Sequence, residues 1–230
     1  MKYKNLTIIG TSHIAKQSLK EVENSIEEKK PEIVAVELDA KRFYALTHKQ
    51  KGRIRLYDIR RVGVKGFLFS LIGAWVERKL GQIVNVEPGA EMRLAIKLAK
   101  KHQLRVALID QDIEVTLRKL SKSLSMRERW NFVVDIFKAV ILRKKEVEFD
   151  LTKVPEKKLI KSLINQVKKR YPNIYNVLVK ERNDIMANKL RQLMENHPEQ
   201  NILAIVGAGH EEDMVKIIRK PQISYSVTFG

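Results

Sequence analysis

Two stretches of the chain, LTIIGTSH from Leu6 and LAIVGAGH from Leu203, follow one plan: four residues suited to a buried strand, a glycine, two small residues and a histidine. An apolar pattern of helical spacing follows each of them. The chain has only five histidines, so two in one local frame read as an internal repeat of strand, tight turn and helix. Glycine permits a sharp turn at the strand's carboxyl end. The histidine is then expected above that edge, which is where open parallel α/β sheets bind ligands.

The rest of the chain fits this frame. Short apolar or β-branched runs at residues 6–9, 33–38, 105–109 and 202–206 read as buried parallel strands. Residues 15–28 carry apolar side chains at helical spacing, and Pro88 and Gly89 stand ahead of a helix expected over 90–102. Alternation of this kind predicts an α/β fold with a mainly parallel central sheet flanked by helices. From about residue 115 to 198 the pattern is nearly all helical, a helical insertion before the last strands. ISYSVTF, from Ile223, reads as a further edge strand. No linker-like stretch divides the 230 residues, so a single domain over 1–230 is expected.

The absence of cysteine excludes disulfides, thiolate nucleophiles and thiolate metal sites, so any metal must be held by imidazole and carboxylate. It also suits a cytoplasmic protein. The N-terminal MKYKNLTIIG has no signal-peptide core. The longest apolar run, FLFSLIGAWV from Phe67, is half of the ~20 residues a membrane-spanning helix needs. A net charge of +18 would attract a polyanion, but the lysines and arginines are dispersed in the manner of solvated helix faces. No nucleic-acid-binding signature accompanies them, so nucleic acid is not an expected partner.

At the carboxyl ends of the predicted strands other polar residues join His13 and His210. Glu37 ends IVAVE, Asp110 follows VALI, and Glu91 lies in the first turn after Pro88 and Gly89. Two neutral imidazoles with one or two carboxylates form a common catalytic site for a divalent metal. Each residue also has a structural reading. A histidine after a strand is commonly a hydrogen-bonded loop residue, Glu37 can pair with Arg42, and Glu91 can complement its helix N-terminus. Asp112 reads as a helix cap. His48, His102 and His197 fall at polar helix ends and read as surface residues. GAGHEED lacks the third glycine of a dinucleotide fingerprint, and neither a phosphate-binding loop nor a serine nucleophile elbow occurs.

Six blocks, GTSHIAKQS, VAVELDAKR, PGAEMRLAIKLA, LIDQDIEVTLRK, KERNDIMANKL and IVGAGHEEDM, stand in an order that resembles the TraB/PrgY pheromone-shutdown family, which is similar to the Tiki and GumN-like proteins. The resemblance implies a Tiki-like fold and a metal-dependent hydrolase centre of peptidase type. It places the metal on His13, His210 and Glu37, with Mn²⁺, Co²⁺ or Zn²⁺ as the ion, and puts Glu91 next. It adds Glu181, Arg182 and Asn183 from the ERN block, and Asp110, Asp112 and Arg118 from DQDI and its trailing TLR. Gly10, Ser12, Arg42 and Gly207 complete the expected pocket.

The mechanism expected from this set is hydrolysis of an amide bond. Glu91 serves as a further ligand or general base, and Arg182, with Asn183 beside it, stabilises the oxyanion or anchors a peptide carboxylate. The rival expectation is a regulator that sequesters a peptide without cleaving it. In that reading GFLFSLIGAWVERK and WNFVVDIFKAVILRKK dock on an anionic membrane surface. Core packing or a homo-oligomer interface is the plainer reading of the same two segments.

Overall fold

The computed structural model describes residues 1–11, 16–48, 60, 89–142 and 157–221. Ser12, His13, the apolar run from Phe67 and the segment from Ile223 lie outside the described residues. In chain order the elements are β1 (Lys2–Tyr3), β2 (Leu6–Thr11), α1 (Lys16–Lys29), β3 (Ile33–Val36), α2 (Ala40–Thr47), α3 (Ala90–Lys101) and β4 (Arg105–Leu108). The helical insertion follows as α4 (Ile113–Ser123), α5 (Met126–Leu142), α6 (Lys157–Arg170), the short α7 (Pro172–Tyr175), a π-helical turn (Asn176–Lys180) and α8 (Glu181–Asn196). The chain then returns through β5 (Ile202–Gly207) to α9 (Glu211–Arg219).

The five strands are ordered β1-β2-β5-β3-β4. Only β1 is antiparallel; β2, β5, β3 and β4 are parallel, so the fold is α/β with a mainly parallel sheet. The last of the described strands thus lies in the middle. Its six residues are buried, as expected for a strand covered on both faces. Leu203 and Ile205 pack with Val22, Val34, Val36, Met92 and Ala95 on the side of α1 and α3. Ile202, Ala204 and Val206 pack with Met186, Leu190, Met214 and Ile218 on the side of α8 and α9. Each of the valine, leucine, isoleucine and methionine side chains contributes about 1.5–3 kcal/mol on burial, so these two layers fix the sheet without disulfides.

Because β2, β3, β4 and β5 run parallel, each connection returns from their carboxyl ends to their amino ends, α1 and α3 over one face and α8 over the other, and this brings the helix N-termini to one edge. The helices α2, α4 and α9 begin just after β3, β4 and β5, while α3 and α8 run back toward the starts of β4 and β5. All five therefore begin at the carboxyl edge of the sheet. Register aligns that edge: Gly10 lies opposite Val206, Thr11 opposite Gly207, and Val36 opposite Ile205.

The second glycine-to-histidine spacing has a local cause. His210 N donates to Gly207 O at 2.9 Å, closing a four-residue turn, and Ala208 N donates to Thr11 O at 2.8 Å, tying that turn to β2. Gly10 is required by this approach. A Cβ on it would lie 2.9 Å from the Ala208 Cα, a backbone atom, and 3.1 Å from Glu211 Oε2. Gly89 has a different reason, a left-handed φ of 75° at the start of α3.

Gly10→Ala should lower stability by about 1–3 kcal/mol through overpacking against a backbone that cannot easily retreat. Gly209→Ala should cost less, because its new Cβ would meet only the terminal methyl of Ile164 at 3.2 Å. Chemical denaturation of both variants measures this, and a Gly10→Ala protein as stable as the parent would refute the close approach.

Candidate functional site

Three strand ends deliver the acidic and imidazole groups. Glu37 follows β3 and is held in line by its backbone N–H, which donates to Ile205 O at 3.2 Å. Its side chain reaches across to the neighbouring strand, where Oε2 accepts from Gly207 N at 2.6 Å. His210 stands at the start of α9 after β5, and its Nε2 lies 3.5 Å from Glu37 Oε1. Asp110 follows β4, its N–H donating to Leu38 O at 3.3 Å.

The helix α8 supplies the remaining partners from the opposite direction. The π-helical turn over Asn176–Lys180 leads straight into it. π-turns are uncommon and concentrate at functional sites. Asn183, buried on α8, has its Oδ1 2.6 Å from His210 Nδ1. A carbonyl oxygen only accepts, so Nδ1 carries a proton, and Nε2 is the ring nitrogen that faces Glu37. Arg182 points to the other side of Glu37. Its Nη2 bridges Glu37 Oε1 and, at 2.7 Å, Asp110 Oδ2, while Nε donates to Asp110 Oδ1 at 3.0 Å. Nη1 donates to Leu178 O at 3.1 Å within the π-turn. These bonds commit four of the five N–H groups of the guanidinium.

Arg42 completes the cluster. It donates through Nη2 to Asp110 Oδ2 and through Nε to Asp39 Oδ2 at 2.8 Å. Glu37 therefore pairs with Arg182, and Arg42 pairs with the two aspartates; the simpler Glu37–Arg42 bridge suggested by the sequence does not form. Asp39 in turn caps α2, accepting from Lys41 N and Arg42 N. Asp110 is 2% exposed. Burial pushes its carboxyl pKa up, but hydrogen bonds and charge from Arg182 and Arg42 outweigh this and hold it at about 2. Burial also works against the charge of Arg182, and the carboxylates of Glu37 and Asp110 overcome it, raising its pKa still further.

Glu91 is 1% exposed in the first turn of α3, at the same sheet edge, where the helix's positive end favours a carboxylate. Glu181 faces elsewhere, accepting from Lys119 Nζ at 2.6 Å and Asn176 Nδ2 at 2.9 Å. Arg118 is exposed on α4 and Asp112 caps that helix, accepting from Glu114 N at 2.7 Å. His48, His102 and His197 occupy helix C-caps, as their polar surroundings suggest. His13 and Ser12 fall outside the described residues. Among the described residues no three histidine and acidic side chains are grouped to hold a metal ion, and no helix is long and apolar enough to cross a membrane.

Two members of the cluster escaped the sequence reading. Asp39 carried a usable signal, an aspartate immediately before a helical pattern. Lys189, whose Nζ donates to Asp110 O at 2.6 Å, carried none, because its partner is 79 residues away.

Asp110 gives the site a pH signature. Its folded pKa is depressed from 3.8 to about 2, so its stabilisation is present above the unfolded value and lost as pH falls through the folded one. The contribution at neutral pH is about 2 kcal/mol. Denaturation from pH 6 down to pH 2 should show this loss concentrated below pH 4, and Asp110→Asn should flatten that part of the curve. An unchanged curve in the variant would show that Asp110 is not the group titrating.

The sequence profile of the TraB/PrgY/gumN family matches residues 2–220. An uncharacterized protein of Methanocaldococcus jannaschii is 34% identical over 224 residues, covering 94% of this chain and 54% of that relative. TraB domain-containing proteins of Bos taurus and Homo sapiens are 25% and 24% identical over 196 residues, covering 80% of this chain and 51% of each relative. The chain thus spans about half the length of the curated relatives it matches. With nearly every residue inside the matching profile, this chain belongs to the TraB/PrgY/gumN family.

Proposed function

We propose that the cluster is the centre of a metal-dependent hydrolase acting on amide bonds of peptides. The observation that carries this reading is the arrangement of His210: Asn183 occupies Nδ1, and Nε2 faces Glu37 Oε1 at 3.5 Å. With Nδ1 protonated, a neutral His210 turns its Nε2 lone pair toward the carboxylate, and a divalent cation between the two would satisfy both. Ligands at about 2.0–2.1 Å on a tetrahedral ion stand roughly 3.3 Å apart, so the pair fits a shared Zn²⁺, Co²⁺ or Mn²⁺. An imidazole whose second nitrogen donates a hydrogen bond, here to the Asn183 carbonyl oxygen, is supported as such ligands are. His13, from the matched sequence motif that begins in β2, is the third donor in this proposal.

A divalent ion held there would lower the pKa of bound water and polarise a scissile carbonyl. The chain's own residues supply the rest. Asn183 keeps the His210 ring in one tautomer. Gly207 N and Arg182 fix the two oxygens of Glu37, so the carboxylate meets His210 without reorienting. The fifth N–H of Arg182 is the donor for negative charge developing on the substrate oxygen. Glu91, at the same edge, is the proposed general base.

Elemental analysis of protein purified without chelator, followed by a peptide-cleavage screen, tests this reading. The parent should retain close to one transition metal per chain, and His210→Ala and Glu37→Ala should lose both metal and turnover. Asn183→Ala should bind the ion about 10–100-fold more weakly. Peptide retention without cleavage, and without metal after Zn²⁺, Co²⁺ and Mn²⁺ are supplied, would replace the hydrolase by a peptide-sequestering regulator.

A further inference from the structure

We propose that Asp110 is a positioning residue of this centre, acting on Glu37 and His210 through α8 rather than touching metal or substrate. The inference rests on the metal-centre reading above. Four donors occupy the Asp110 carboxylate: Gln111 N at 2.7 Å and Arg182 Nε at 3.0 Å on Oδ1, and Arg182 Nη2 at 2.7 Å and Arg42 Nη2 on Oδ2. A carboxylate offers about four acceptor positions in all. Asp110 therefore has no lone pair to give an ion, although its residue type and place at a strand end would suit a ligand.

What the carboxylate does instead follows from its hold on Arg182. Nε and Nη2 meet its two oxygens as a planar fork, and this orientation turns the second proton of Nη2 toward Glu37 Oε1. The backbone of the same residue takes a second grip on the same helix. Lys189, seven residues beyond Arg182 and so on the same face of α8, donates to Asp110 O at 2.6 Å. Two attachments to one strand end fix both the rotation and the position of α8. That helix also carries Asn183, which sets the His210 tautomer. The end of β4 thereby orients both described donors of the proposed metal site.

Co²⁺ titration of the metal-stripped full chain, followed by its visible absorption, provides the first readout. The second is solvent exchange of the Arg182 Nε–H, measured by ¹H–¹⁵N NMR on metal-free protein. Asp110→Asn should weaken Co²⁺ binding about 10–100-fold at unchanged stoichiometry, and should remove the protection of that N–H. A role in stability alone would lower the melting temperature and leave Co²⁺ affinity at the parent value, which would overturn the proposal. If Asp110→Asn does not fold, Arg182→Lys keeps the charge and deletes the fork, and parent-like Co²⁺ affinity in that variant would overturn it equally. A parent chain that binds no Co²⁺ would instead sink the metal reading. The exchange measurement then decides the positioning role by itself: equal protection in parent and Asp110→Asn refutes it.

Discussion

The bridge that Arg182 makes between Glu37 and Asp110 is the interaction on which the site depends. Three charges are taken largely out of water at the end of the sheet, and such a group is tolerable only if every member has partners. Arg182 meets that condition with two carboxylates and the Leu178 carbonyl, Asp110 with two arginines and a backbone N–H, and Glu37 with Arg182 and the Gly207 N–H. Removing one partner leaves the others buried and uncompensated, so the cluster behaves as a unit. Its cost in desolvation buys fixed orientation, which a centre needs more than it needs stability.

The sheet order makes this bridge possible. Placing β5 between β2 and β3 sets its end beside the ends of two early strands, so groups far apart in the chain share one edge. The return of α8 toward β5 then brings Arg182 and Asn183 to that edge from the other side. Close packing at Gly10 lets the turn after β5 sit down over β2. These are backbone requirements, met by two buried layers of aliphatic side chains.

Much of this was legible in the residues. The four parallel strands appear where the apolar runs predict them, differing by one or two residues at their ends, and α3 ends one residue before the expected His102. Periodicity and the Pro-Gly start carry that information locally. The two-residue β1 was not legible, because it gains its pairing from β2 and has no pattern of its own. Glu37, Asp110, Arg182, Asn183 and His210 were all among the expected site residues, and the structure brings them together. Glu181, expected beside them, faces elsewhere: consecutive helix positions diverge by about 100°, and neighbours in the chain need not share a face.

The sequence by itself determined the α/β class, the strand ends where polar groups gather, and the turn that places His210, because these depend on short-range pattern and on glycine's freedom. Only the tertiary structure decided who pairs with whom. Arg182 rather than Arg42 holds Glu37, Asn183 fixes the His210 tautomer, and Lys189 grips the end of β4. Such choices are made by strand order and helix rotation, which bring together groups separated by 27 to 145 residues. No local pattern of side chains encodes a distance of that kind.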